Sequence, residues 1–291
     1  MAEKARDIER RIKSIESTKK ITNAMQLIAA SRIVKAQART ERSRPFSKAL
    51  TAMIEMLASE SKSSPLLAER EEISNVALIT IAGDRGLAGG YNSNVLREAM
   101  RATEREQQLG RQVRVTSIGK RGYTFFRFRR VPLAGNFTGV SDNPTYADAK
   151  KIASQIIEDF VAGAVDKVLI AYTDFVSVSL QRARVTQVLP VPRPEEESAQ
   201  TEPSASFEFE PEPDELLNAL LPRYVEMKVY AALLEASTSE HASRMRAMKS
   251  ATDKAEDLIK VFSLRMNNAR QAEITNELAD IVGATEALRG A

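Results

Sequence analysis

The stretch HASRMRAMKSATDKAEDLIKVFSLRMNNA, residues 241–269, places His241, Met245, Met248, Thr252, Ala255, Ile259, Phe262, Met266 and Ala269 four and three residues apart in unbroken alternation. That rhythm keeps one narrow stripe of a helix facing a partner helix, so the segment reads as a coiled-coil seam. Five residues on, Ile274, Leu278, Ile281, Thr285 and Leu288 resume the same spacing on a different face. The slip frames Arg270, Gln271, Ala272 and Glu273. The pattern belongs to a helix predicted from Asp214 to Leu288, with Pro222 in its first turns and Gly283 close to its end.

The opposite end of the chain supplies the partner. Residues 3–58 contain no glycine and are rich in good helix formers, which predicts a second long helix interrupted only by Pro45. At 1.5 Å per residue it reaches roughly 80 Å, more than the width of a small domain. Ile8, Ile12 and Ile15 begin its stripe, and the smaller or more flexible Thr18, Thr22, Met25, Ala29 and Ile33 continue it, so a second helix can approach closely.

Between these arms, VALITIA, VRVTSIG and KVLIAYTDF are apolar runs of strand length, separated by helical stretches at 92–108 and 145–162. A further strand, Arg182 to Leu189, follows after a short turn and is expected to run antiparallel to the one before it. Residues 73–190 are therefore expected to be an α/β domain. Residues 191–213 are dense in Pro, Glu and Ser and read as an acidic connector that buries too little apolar surface to form a domain. The expected division is thus 1–58, 73–190, 191–213 and 214–291.

Composition narrows the chemistry. With no cysteine and His241 as the single histidine, thiolate catalysis, cysteine-ligated zinc and a histidine-based metal site or triad lack their side chains. Neither a cofactor nor a metal is expected. Residues 1–44 hold twelve Lys and Arg against five Asp and Glu, an excess hidden in a net charge of +3. Such an arm could face nucleic acid, anionic lipid or an acidic protein, but no aromatic residue precedes Phe46 to stack on bases, so an acidic protein surface fits best. No apolar run has the length of a membrane span, and the charged start MAEKARDIERR is unlike a signal peptide, which predicts a cytosolic or peripheral protein.

The one motif with the setting of an active site is GDRGLAGGYN, residues 83–92, between a predicted strand and a predicted helix. Backbone amides there can cradle phosphate. Yet Gly83, Gly86, Gly89 and Gly90 match neither GxGxxG nor GxxxxGK[ST], so the glycines read as serving a tight connection, with Asp84 and Arg85 as a local polar pair. His241 reads as a packed imidazole. A nucleotide-binding α/β enzyme and a coiled-coil adaptor or nucleic-acid binder remain as alternatives, separable by direct binding of ATP or NAD and by salt-dependent binding of DNA or RNA.

Several of these stretches resemble the F-type ATP synthase gamma subunit family. STKKITNAMQLIAASRIVKAQ at 17–37 is similar to that family's first-helix signature and GDRGLAGGYN to its central-domain signature; YTDFVSV and LLPRYVEMKVYAALLEA match in order. SEHASRMRAMKSATDKAEDLI and NNARQAEITNELADIVGATEAL resemble its C-terminal helix most closely. Departures are modest: Ala88 stands where many members have cysteine, Phe262 to Met266 is less usual, and Phe209 replaces a tyrosine of some members. No equivalent of the regulatory insertion of photosynthetic members is visible.

The resemblance implies a Rossmann-like domain bearing an antiparallel coiled coil, and a non-catalytic rotor shaft that couples ion flow through the c ring to cycling of the beta catalytic sites. The implied partners are the alpha and beta subunits, the epsilon subunit and the c-subunit ring, with no nucleic acid, on the cytoplasmic side of a bacterial membrane. It places Met25, Arg244, Arg270, Gln271, Thr275 and Glu277 against the alpha and beta ring, with Arg270 and Gln271 as a polar catch on a beta-subunit loop. Leu278, Ile281, Val282 and Leu288 would turn in an apolar sleeve, and Phe207, Phe209 and Glu210 would meet epsilon and the c ring.

Overall fold

The structure is a computed structural model and describes residues 5–60, 64–68, 70–192 and 212–289. Along the chain, helix α1 (Ala5–Glu60) is followed by β1 (Asn75–Ile81), α2 (Tyr91–Gln108), β2 (Gln112–Ile118), α3 (Lys120–Phe128), β3 (Leu133–Phe137), α4 (Tyr146–Val161), β4 (Lys167–Phe175), β5 (Gln181–Leu189) and α5 (Pro213–Arg289). Two compact units emerge, one of residues 29–244 and one that pairs residues 1–28 with 245–291.

In the first unit a five-stranded sheet has the order β3-β2-β1-β4-β5. β1 pairs in parallel with β2 and β4, β2 in parallel with β3, and β5 closes one edge antiparallel to β4. Parallel strands covered on both faces must be apolar almost throughout, and β4, KVLIAYTDF, has six consecutive buried residues. Val76, Leu78, Val115 and Ala171 pack with Val95, Leu96 and Ala99 of α2 on one face. On the other, Ile79, Ile81, Ile118 and Ile170 meet Ile152 and Phe160 of α4, Leu50, Ile54 and Leu57 of α1, and Leu217, Leu221 and Leu233 of α5. The start of α4 is fixed by a capping box, in which Thr145 accepts from the Asp148 amide and the Asp148 carboxylate accepts from Thr145.

Two elements were not anticipated from sequence: α3, KRGYTFFRF, and β3, LAGNF. The helix holds a glycine and the strand a glycine and an asparagine, and β3 is an edge strand with a register shift against β2, so neither carries a clean period.

In the second unit the two helices run antiparallel, shown by contacts whose numbers rise on one as they fall on the other. The Thr22 and Thr252 hydroxyls are 2.7 Å apart, Lys19 reaches Glu256 at 3.1 Å, and the Ala5 amide donates to Glu273 at 3.1 Å. Ile8, Ile12, Thr22, Met248 and Ala255 are buried between them, and Ile259, Phe262, Met266 and Ala269 are half-buried, as the heptad spacing demands. Thr18 departs from its predicted stripe: it is exposed, and its hydroxyl bonds back to the Ser14 carbonyl at 3.0 Å.

Candidate functional site

The winding of the sheet reverses between β1 and β4, and in doubly wound folds the crevice beyond such strand ends is where ligands bind. Here it is filled by α5. Ser239 donates to the Thr173 carbonyl at 3.1 Å, and Glu240 lies so close above the glycine turn that a Cβ on Gly83 would stand 2.9 Å from its Cδ. Glu240 is fully buried and accepts from Arg244 at 2.5 Å, and the same guanidinium points at the Gly86 carbonyl at 3.4 Å. A carboxylate therefore stands where a phosphate would meet the loop, with its counter-charge supplied from one helical turn away. Burial raises the Glu240 pKa, and the Arg244 charge opposes that rise.

A second ring of polar groups closes around Asp142. Its carboxylate accepts from Arg32 of α1 at 2.6 Å, and its backbone carbonyl accepts from Ser237 at 3.3 Å and faces His241 Nε2 at 3.2 Å. His241 Nδ1 is 3.4 Å from Arg244, and a guanidinium has only hydrogens to offer. Nδ1 is thus the acceptor and Nε2 carries the proton. Burial holds this imidazole below its usual pKa, so it is neutral at pH 7. Its place on the α/β unit makes it a packed histidine.

Asp84 and Arg85 do not pair with each other, contrary to expectation. The Asp84 carboxylate gathers the backbone amides of Lys120 and Gly139 at 3.0 Å and of Ser141 at 3.1 Å, while Arg85 reaches toward Asp142 at 3.9 Å. Burial works against the Asp84 charge, but these amides outweigh it and hold the carboxyl below its ordinary range. Its role is to tie the glycine turn to the starts of α3 and of the loop after β3. Gly119, at φ +94°, allows the close approach: a Cβ there would stand 2.1 Å from the Ala82 carbonyl.

The other candidate surface is the end of the helical pair. The amide of Ala5 sits against Glu273, so the apolar stripe that resumes at Ile274 lies beyond the start of the described α1. Ile274, Leu278, Ile281 and Val282 are 48–62% exposed. Arg270, Gln271, Thr275 and Glu277 are exposed just below and among them, the Thr275 hydroxyl bonding back to the Gln271 carbonyl. Lower on α1, Met25 is half-buried, with Ile21, Leu27 and Ile28 exposed around it. Arg244 differs from these candidates by facing inward. Leu288 lies outside the residues whose side chains are described, and Phe207, Phe209 and Glu210 lie outside the described residues altogether.

Among the described residues no three His, Cys, Asp or Glu gather as a metal site, and no helix is long and apolar enough to cross a membrane. The ATP synthase family model matches residues 4–288. The chain belongs to the ATP synthase gamma chain family. It is 47% identical over 294 residues to the ATP synthase gamma chain of Parafrankia sp., covering 99% of both. To that of Streptomyces coelicolor it is 44% identical over 299 residues, covering 100% of this chain and 98% of the relative. A chain of the Tetrahymena thermophila mitochondrial ATP synthase central stalk and c-ring structure matches with a TM-score of 0.60 at 26% identity, over 79% of this chain and 99% of that one. One from the Euglena gracilis enzyme matches with a TM-score of 0.66 over 98% and 94%, at 14% identity, and speaks to the fold alone.

Sequence reasoning did not find the network of Arg32, Asp142 and Glu240, whose members come from separated segments. The one available signal was SEH at 239–241, polar and ionisable residues set directly beside an otherwise apolar seam.

Proposed function

We propose that this gamma chain is a non-catalytic rotor shaft whose exposed helical end works inside a ring of alpha and beta subunits, while the α/β unit and the lower helices meet epsilon and the c ring. The working division is 1–58 and 214–291 as shaft, 73–190 as the α/β body and 191–213 as an acidic connector. The observation that carries this reading is the resumed apolar stripe at Ile274, Leu278 and Ile281, which no other part of the described chain covers. Exposed apolar surface on that scale marks a protein contact. The placement on the cytoplasmic side of a bacterial membrane belongs to the same reading.

A shaft biases a catalytic site only by contacting its alternative states with different free energies. This one has the needed asymmetry: the stripe changes face between Ala269 and Ile274, and Arg270, Gln271, Thr275 and Glu277 project there. The apolar end, Leu278, Ile281, Val282 and Leu288, offers little that is directional to a surrounding sleeve, so it can turn. Met25 and the neighbouring exposed apolar residues of α1 form the lower contact. Arg244 joins the contact set only through the part of its side chain not engaged by Glu240, and Phe207, Phe209 and Glu210 are assigned to the foot.

The non-catalytic reading is supported by the Glu240 side chain, which occupies the space directly above Gly83 and engages the Arg244 guanidinium there. Calorimetry of the isolated chain with Mg-ATP is expected to give no binding tighter than about 100 μM. Met25→Lys tests the shaft. Lysine is helix-compatible, and its added charge makes new bonds to an acidic stator loop, raising the barrier to leaving one angle. Ion pumping per ATP is expected to fall more than ATPase activity of the assembled complex, and an equal fall in both would remove Met25 from the contact surface.

A further inference from the structure

We infer that the corner of the α/β unit between α3 and β3 binds an anionic amphiphile of the phospholipid class, its phosphate on the arginines and its acyl chain in the cavity beside them. The corner reads FRFRRVP, residues 126–132. Phe126 is fully buried and anchors it, while Phe128, two residues on, is 83% exposed, the largest apolar exposure among the described residues. Arg127, Arg129 and Arg130 flank Phe128 in the chain and are all exposed. Arg129 lies 5.7 Å above the Phe125 ring, and Arg130 takes the left-handed φ of 58° that turns the chain from α3 into β3.

Next to this corner is a cavity of about 430 Å³, the size of a small-ligand pocket. Ile79, Val113, Leu133, Phe137 and Ile156 give it apolar walls between the sheet and α4. Pro132 and Arg114 also form its wall, which brings it within two residues of Arg130. One acid, Asp159, lines it together with the neutral Gln155.

Charge decides the class of ligand. Among the described residues Arg114, Arg127, Arg129 and Arg130 enter no salt bridge, and Asp159 is the one carboxylate that lines the cavity. The α1 arm is different, because Arg10 is held by Asp7 at 2.6 Å and Lys13 by Glu9 at 2.9 Å. Arginine forks match phosphate oxygens in pairs, and an unpartnered aromatic ring among them sits favourably at the depth of lipid headgroups. The adjoining apolar cavity is what a free phosphate would leave unused. The inference does not depend on the rotor reading, since it uses only residues of this corner.

The full chain is tested by co-sedimentation with phosphatidylcholine vesicles and with vesicles of equal parts phosphatidylcholine and phosphatidylglycerol. Binding is expected only with phosphatidylglycerol. Replacing Arg127, Arg129 and Arg130 together by alanine is expected to weaken it on the order of a hundredfold, at about tenfold or less per cation. Phe128→Ala is expected to weaken it about tenfold without changing its salt dependence. Replacing Arg10, Arg11 and Lys13 by alanine serves as the comparison and is expected to change it little.

Monomeric lysophosphatidylglycerol is expected to bind, glycerol phosphate not to, and Ala134→Phe, which fills the cavity from its wall, is expected to block the lysolipid. Unchanged thermal midpoints certify that these exposed changes leave the fold intact. Equal binding to both vesicles, or an equal loss from the α1 substitutions, overturns the inference. Tighter binding of a polyglutamate peptide than of lysolipid overturns it in favour of an acidic protein partner, and equal binding of glycerol phosphate reduces it to a simple anion site.

Discussion

The crevice under Glu240 and the end of α5 beyond Glu273 are built on opposite terms. In the first, charged and polar side chains from α1, α5 and the loop after β3 are buried or half-buried and bonded to one another or to backbone carbonyls. In the second, apolar side chains stand in solvent with no described neighbour from another part of the chain. A buried ion pair costs desolvation that only good partners offset, and an exposed apolar stripe is unfavourable until something covers it. The first region is therefore satisfied largely by this chain, with Glu240 Oε2 left without a hydrogen bond, and the second is left to be satisfied by others. Substitutions in the crevice should appear as loss of folding stability, and substitutions at the end as loss of association with stability intact.

The largest effect is expected from Glu240→Ala. It leaves the Arg244 guanidinium, buried to 7% exposure, with only the Gly86 carbonyl and His241 Nδ1, each at 3.4 Å. Removing one member of a buried pair costs about 3–5 kcal/mol. Urea unfolding of the isolated chain measures it. The contrast is Leu278→Ser with Ile281→Ser, which is expected to shift the isolated chain's stability by less than about 0.5 kcal/mol. A comparable loss from both would erase the distinction between the regions.

How far each region could be read from sequence follows the same division. The end of α5 was legible because its message is periodic: spacings of three and four, then a slip at Arg270, visible in one segment. β1, β2 and β4 were legible for the related reason that buried parallel strands are apolar runs of fixed length, and β5 because a short turn after β4 leads into a strand-length segment. The crevice was not, since Arg32, Asp142, Glu240 and Gly83 are far apart in the chain and no local pattern says that they meet. Asp84 shows the limit most plainly: its partners are backbone amides of residues 120, 139 and 141, and an amide has no letter in the sequence.

Glu235 of α5 has its pKa pushed up to about 7 by burial and by the neighbouring Asp174 carboxylate, against the pull of Arg184 and Arg44. Arg184 stands 3.6 Å from Asp174 and 3.9 Å from Glu235, so two carboxylates compete for it. A carboxyl whose pKa is higher folded than unfolded contributes stability that is complete below the unfolded value of 4.5 and is lost as pH rises through about 7. Wild type is thus expected to lose up to about 2–3 kcal/mol relative to Glu235→Gln between about pH 5 and about pH 8. Chemical denaturation of both proteins across that range checks it, and parallel curves would mean that Glu235 is ionised throughout. Among the described residues the helical end holds no such pair, and substitutions there should leave the pH profile of stability unchanged.

The smallest effect on the isolated chain, and the one that tests the contact reading most closely, is expected from replacing Arg270 and Gln271 by alanine. Both are exposed where the apolar stripe changes face, and a stripe that turns away lets adjacent side chains point outward at a surrounding subunit. Arg270 offers a forked, charge-assisted bond to a carboxylate, and Gln271 both donates and accepts. Alanine is the better helix former, so helicity and unfolding should stay within about 0.5 kcal/mol of wild type. Assembly with alpha and beta subunits, or turnover of the assembled complex, should fall. The alternative is that these are two ordinary surface residues of a long helix, and it makes a different numerical forecast. Double-mutant cycles between Arg270 and each acidic residue of the facing beta-subunit loop should show one pair coupled by more than about 0.5 kcal/mol. If every pair couples by less than about 0.3 kcal/mol and rotation is retained, the contact at the slip carries no specific bond, and the apolar residues from Ile274 onward must supply the whole of it.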